Sequence, residues 1–290
     1  MSEAADTEGD GGGQGAPGEV DATASVATSG VDLDDEYPLQ VEDLHKSFGG
    51  ITAVDGASFN VERGSLTGLI GPNGAGKSTT FNLITGMYEA DAGTVTFNGE
   101  DITTLKPYEV ANRGLVRTFQ IARELKDMTV LENMMLAPKG QIGESLWRSV
   151  TPGVRGRVVE QEEQLLERAW ETLEFFEIDH IADEYAGNLS GGQRKLLEMA
   201  RALLTDPDML LLDEPFAGVN PSLEKRLLDH VHELREQGYT FLLVEHDMDL
   251  IMENCERVIV MHQGKVLTEG TPAEIKANEE VIEAYLGGNV

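Results

Sequence analysis

Apolar and polar positions change period several times along this chain, and each change marks an element. Met209–Leu212 and Thr240–Val244 are short unbroken apolar runs, the pattern of strands buried on both faces. Leu66–Ile70 reads the same way. Leu39, Val41 and Leu44 open a strand region near Pro38, and Ala57–Val61 supplies another, with Gly49-Gly50 and Asp55-Gly56 as turn signals between them. Thr94–Phe97 runs into Asn98-Gly99, a tight-turn pair. Leu115–Phe119 predicts a further strand, and Arg257–Met261 pairs with Lys265–Glu269 as a hairpin around His262-Gln263-Gly264.

Helical spacing appears elsewhere. Lys77 to Met87 can continue as a helix. Arg155 to Phe176 places Val158, Leu165, Leu166, Ala169, Leu173 and Phe176 on one face, and Gln193 to Leu204 does so with Leu196, Leu197, Ala200, Leu203 and Leu204. Ser222 to Gln237 is stopped by Gly238, and a short helix starts at Pro272. Strands alternating with helices predict an α/β core with a largely parallel sheet. Beside it the pattern predicts a small antiparallel β layer, and a mainly helical subdomain inserted at about 121–200.

Composition changes this picture at one end. Residues 1–36 are rich in Gly, Ala, Ser and Thr, with acids but no Lys or Arg. Such a segment cannot bury enough apolar surface to offset its ordering entropy, so it reads as a disordered acidic tail ahead of one domain over 37–290. The whole chain of 290 residues carries a formal charge of −30. That excess repels nucleic-acid backbones and anionic lipid, and it matches the acidic surfaces that keep halophile proteins soluble in concentrated salt. The lone Cys255 cannot form an internal disulfide, which suits a reducing cytoplasm. No run approaches a membrane span, and the N-terminal stretch lacks the basic and apolar regions of a signal peptide.

The candidate chemistry starts at Gly71-Pro72-Asn73-Gly74-Ala75-Gly76-Lys77-Ser78-Thr79. It fits G-x-x-x-x-G-K-[ST], between a predicted strand and a predicted helix, where backbone N–H groups form an anion nest. Lys77 offers a positive charge to β- and γ-phosphates, and the Ser78 hydroxyl can ligate Mg²⁺. Asp213 closes a buried strand and can hold Mg²⁺ directly or through water. Glu214, next in chain, can act as general base on an attacking water. Gln120 follows a predicted strand and can ligate Mg²⁺ or contact that water. His246 also follows a strand, where its imidazole can touch a γ-phosphate, although a histidine there can equally be a plain surface residue. Phe48, in a turn, can stack on a base or simply pack. Leu189-Ser190-Gly191-Gly192-Gln193 supplies a second glycine-lined helix N-terminus with Ser190 as N-cap. If it caps the same phosphate, either this chain folds the two sites together or a second chain supplies one of them.

The ordered set of Gly71–Thr79, Gln120, Leu189–Gln193, Met209–Pro215 and His246 resembles an ATP-binding subunit of an ABC transporter over roughly Leu39 to Leu286. The resemblance implies a P-loop NTPase (RecA-like) α/β core and ATP with Mg²⁺ as cofactors. It puts Phe48 in the adenine-stacking place, and it implies that Ser190–Gln193 of one subunit close over the ATP of a partner. Asn220 stands where many members carry Asp. Arg117-Thr118-Phe119-Gln120, Met128–Asn133, Gln193–Arg201, Glu245–Met248 and Ala284-Tyr285-Leu286-Gly287 resemble the LivG-type subunit of branched-chain amino-acid importers; urea and short-amide importers share much of this. The implied partners are integral-membrane permease subunits, a second ATP-binding subunit (heterodimer favoured, homodimer the alternative) and an extracytoplasmic solute-binding protein. The implied place is the cytoplasmic face of the membrane. A soluble ABC ATPase acting on ribosomes or DNA and a small-molecule kinase are the rival classes. Tandem cassettes or long heptads are missing for the first, and the second has no need of Leu189–Gln193.

The charge excess makes one test immediate. Thermal melting should move upward from low salt to molar KCl as the carboxylate surface is screened; equal midpoints at both extremes would remove the salt-adaptation reading.

Overall fold

The computed structural model describes residues 36–118, 125–139 and 155–286. The expectations for the tail at 1–36 (Glu36 apart), for Phe119 and for Gln120 therefore lie outside the described residues. Two sheets are present. β1 (Leu39–Phe48), β2 (Ile51–Val61), β4 (Ala92–Phe97) and β5 (Glu100–Asp101) form an antiparallel sheet in the order β2-β1-β4-β5. β3 (Leu66–Ile70), β6 (Leu115–Arg117), β7 (Met209–Asp213), β8 (Thr240–Val244), β9 (Arg257–His262) and β10 (Lys265–Gly270) form the second, ordered β10-β9-β3-β8-β7-β6. All its pairings are parallel except β10 on β9.

Every residue of β3, β7 and β8 is buried, and the two-residue period of a strand sorts them onto two faces. Leu69, Leu211, Leu242 and Val244 join Leu39, Val41, Phe59, Phe81 and Phe97, so this face packs on the antiparallel sheet and on helix Lys77–Ile84. Leu66, Leu210, Leu212, Phe241 and Leu243 face the other way. They meet Val130, Met134, Leu173, Leu196 and Ala200 of helices Val130–Met135, Arg155–Phe175 and Gly191–Leu203, and Leu227 and Val231 of helix Pro221–Glu236. Full burial of both faces explains why these strands are unbroken apolar runs.

Several boundaries differ from the sequence reading, for local reasons. The helix after the P-loop ends at Ile84 rather than Met87, because Gly86 adopts φ +69 and the Thr85 hydroxyl donates to the Phe81 carbonyl. β6 ends at Arg117. The antiparallel strands are longer than their apolar cores: Phe48 pairs with Ile51 across Gly49 and Gly50, whose φ of 53 and 91 give the tight turn. On Arg155–Phe175 the apolar stripe is narrower than the spacing suggested. Leu165, Ala169 and Leu173 are buried, whereas Leu166 is 39% exposed. Helix Val130–Met135 is announced by a capping box, Thr129 with Glu132, that the periodicity alone does not reveal.

Leu211 lies at the centre of this arrangement with no exposed surface. Leu211→Ala should lower stability by about 2–5 kcal/mol, seen as a lower urea midpoint with an unchanged slope.

Candidate active site

The order of the parallel sheet decides what can meet. β3, β8 and β7 are neighbours, so the segments leaving their C-terminal ends emerge side by side. Those segments are Gly71–Gly76, Glu245-His246 and Glu214-Pro215. The P-loop itself is shaped by close packing. Gly76 has φ +104, and a Cβ there would lie 2.6 Å from the Ala53 carbonyl oxygen, so no other residue fits. The loop is also sewn to the C-terminal hairpin: the Gly264 N–H donates to the Ala75 carbonyl at 2.9 Å and the Asp55 N–H to the Gly264 carbonyl at 2.8 Å.

A cleft of about 380 Å³ results, lined by Asn73–Thr79, Ile51–Ala53, Glu214 and His246. Lys77 is buried, with Nζ donating to the Gly71 carbonyl at 2.6 Å and to Pro72 at 3.3 Å. Burial lowers its pKa, and the nearby Glu214 and Asp213 carboxylates oppose that shift. Ser78 is exposed on the cleft wall. Phe48 stands at the end of β1, 42% exposed, with its ring edge-on to Tyr88 at 5.3 Å.

Glu214 is the strained residue of the site. Its φ is +49, a left-handed conformation unusual for a residue with a side chain. Three backbone contacts hold it there. Its N–H donates to the Val244 carbonyl at 2.9 Å, and its own carbonyl accepts from Lys195 Nζ at 3.1 Å and from the Ala217 N–H at 3.2 Å. The carboxylate Oε1 thereby comes 2.7 Å from His246 Nε2. An ionised carboxylate only accepts, so that nitrogen carries the proton. Glu245 is the companion that the sequence reading passed over. It is buried and accepts the Phe216 N–H at 3.0 Å and the His246 N–H at 3.3 Å, tying the turn after β7 to the turn after β8. Burial raises its pKa, and the two donated amides pull it back down. Asp213 is 3% exposed and pairs with Arg117, Nη2 to Oδ2 at 2.5 Å.

Ser190, Gly191, Gly192 and Gln193 do not line this cleft. Ser190 and Gln193 close a capping box on helix Gly191–Leu203. A Cβ on Gly192 would meet Leu223 Cδ2 at 2.2 Å, so the helix tip rests directly on helix Pro221–Glu236. Asn220 caps that helix through the Leu223 N–H at 3.0 Å, a local duty its amide oxygen performs as well as a carboxylate would. For a metal, the candidate donors are the Ser78 hydroxyl on the cleft wall and the Asp213 carboxylate at the end of β7, which lies outside the cleft lining; both are hard oxygens of the kind that suits Mg²⁺. No cluster of three or more His, Cys, Asp or Glu able to hold a metal occurs among the described residues.

Residues 54–217 match the family described as ABC transporter, and residues 265–290 match the Branched-chain amino acid ATP-binding cassette transporter family. The chain is 47% identical over 249 residues to the "Probable branched-chain amino acid transport ATP-binding protein LivG" of Archaeoglobus fulgidus, covering 86% of this chain and 95% of that protein. The chain belongs to the ATP-binding cassettes of ABC transporters. As a member of that family the cassette is an ATPase with the P-loop NTPase fold. Its fold superposes on a crystal structure of the ADP conformation of an ABC transporter cassette with TM-score 0.73 and 41% identity, covering 87% and 99% of the two chains. A dimeric, post-hydrolysis cassette bound to ADP and Pi aligns with TM-score 0.66 and 26% identity, over 81% and 98%.

Glu245→Ala leaves a buried Phe216 amide without its acceptor and should cost about 1–3 kcal/mol in denaturant unfolding. Glu245→Gln keeps one carbonyl acceptor and should cost less; equal stability of all three proteins would remove the bridging role.

Proposed function

We propose that the cassette is the ATP-hydrolysing subunit of an importer for branched-chain amino acids, seated at the cytoplasmic face of the cell membrane. One arrangement supports this above the rest: the P-loop cleft gathers Lys77, Glu214 and His246, while Ser190–Gln193 stay outside it. In this reading the amides of Gly74, Ala75 and Gly76 and the Lys77 ammonium hold the β- and γ-phosphates of ATP. Gly71, Asn73 and Thr79 complete the cradle, and Phe48 stacks on the adenine. Ser78 and Asp213, with Gln120, hold Mg²⁺, which when bound offsets phosphate charge. Glu214 takes the proton of the attacking water. His246 keeps that carboxylate in position through their 2.7 Å contact and reaches the γ-phosphate.

The anion site at Ser190-Gly191-Gly192-Gln193 then serves the ATP of a second ATP-binding subunit, and that subunit's equivalent serves this one. The dimeric form of a related cassette supports such pairing. A similar but distinct ATPase is the partner we favour, giving a heterodimer. No helix among the described residues is long and apolar enough to cross a membrane, so the path for cargo belongs to permease subunits supplied with substrate by an extracytoplasmic solute-binding protein. A groove of about 530 Å³ on the helical part, whose apolar wall of Met128, Leu131, Met135, Leu136, Val159 and Leu166 is edged by Glu132, Glu162 and Glu163, suits a helix presented by such a permease. The names of the relatives support the cargo, and the surplus of acids supports work in concentrated salt without nucleic-acid partners.

Glu214→Gln should retain ATP binding and lose hydrolysis by about 10²–10⁴-fold. In cells whose only copy is Glu214→Gln, uptake of labelled leucine, isoleucine and valine should fail while urea uptake persists. Loss of urea uptake alone would keep the ATPase and change the cargo. Unimpaired uptake of all four would overturn the transport reading.

A further inference from the structure

Arg117 reaches the site from β6, the strand beyond β7, and is held at three points. Nη2 donates to Asp213 Oδ2 at 2.5 Å, and Nη1 donates to Asn82 Oδ1 at 2.6 Å on the P-loop helix. The guanidinium also lies over the Phe81 ring, 5.7 Å from its centre. The two charged side chains are 16% and 4% exposed, so the pair is almost dry. A buried pair of this kind gains little net stability, because desolvation offsets the Coulomb attraction. What it does supply is direction: a planar guanidinium with two donors in a fixed fork locks the group it holds. Here it fixes one oxygen of the aspartate that ends β7, relative to the helix that begins with Lys77 and Ser78.

We propose that Arg117 is a positioning residue for the metal ligand Asp213. It holds Oδ2 and so fixes the orientation of the whole carboxylate, and Asn82 anchors it to the P-loop helix. The carboxylate and the hydroxyl, which come from different elements, are thereby kept in one fixed relation. This rests on the reading of Asp213 as a ligand of Mg²⁺. A partner that orients a metal ligand typically changes metal affinity by about 10–100-fold.

The test titrates Mn²⁺ against the full chain with a non-hydrolysable ATP analogue, protein in excess over nucleotide, reading free Mn²⁺ by electron paramagnetic resonance. Arg117→Met should weaken Mn²⁺ binding by about 10-fold, with nucleotide affinity in EDTA unchanged. Arg117→Lys, which keeps the charge and loses the fork, and Asn82→Ala, which frees the anchor, should weaken it less, in the same direction. These two also carry the test if Arg117→Met fails to fold. Wild-type Mn²⁺ affinity in the folded variants would overturn the proposal. So would tighter binding by Arg117→Met, which would make the guanidinium a competitor of the metal. Asp213→Asn separates the two readings: if it leaves Mn²⁺ affinity untouched, the ligand assignment itself fails, whereas a loss there with normal Arg117 variants sinks only the positioning role.

Discussion

The register of three parallel strands sets the geometry on which the rest depends. Leu69 of β3 and Asp213 of β7 both pair with Val244 of β8, so the strands end in one level row. The next positions along each strand are Ile70, Glu245 and Glu214, and one step further come Gly71 and His246. No loop has to search for its place. A strand slipped by one residue would turn its side chains to the opposite face and lift its functional residue out of the row. That slip is resisted by the burial of both faces, since each face of the sheet meets its own apolar cluster.

This division explains what could be read from the sequence. The P-loop is local: its glycines, lysine and hydroxyl are contiguous, and the elements flanking it have clean periods. The apolar runs of β3, β7 and β8 are equally plain, because burial on two faces leaves no polar alternation to confuse them. What escaped are contacts between segments far apart in the chain. Arg117 reaches Asp213 and Lys195 reaches Glu214 only through the fold, and nothing within either segment announces the contact. Glu245 left a faint signal, a carboxylate directly after a fully apolar strand. Helices Arg155–Phe175 and Gly191–Leu203 were legible as helices but not as surfaces, since Leu166 keeps the spacing of a buried residue and is exposed. Asn220, which stands where many family members carry Asp, also caps helix Pro221–Glu236.

Charge is distributed against the grain of the composition. The chain holds 22 basic residues against 52 acidic ones, yet Lys77, Arg117 and Lys195 all lie within bonding distance of the P-loop or of Asp213 and Glu214. Lys77 and the Arg117 side chain sit where water is scarce and salt screens least. The acidic excess lies mainly outside, where solvent and ions attenuate it. Surface charge and site chemistry can therefore vary separately, and a chain with so negative an exterior still buries Lys77 among the P-loop glycines.

The stitching of the Ala75 carbonyl to Gly264, and of Gly264 to Asp55, has a further meaning. The loop that cradles phosphate is floored by a hairpin nearly two hundred residues away in the chain. A ribosome has therefore added nearly two hundred further residues after the loop before that floor exists. Until β9 and β10 emerge and dock, the Ala75 carbonyl lacks the Gly264 N–H that it accepts in the folded chain. The shape of the loop is in this way tied to the late hairpin as well as to its own glycines.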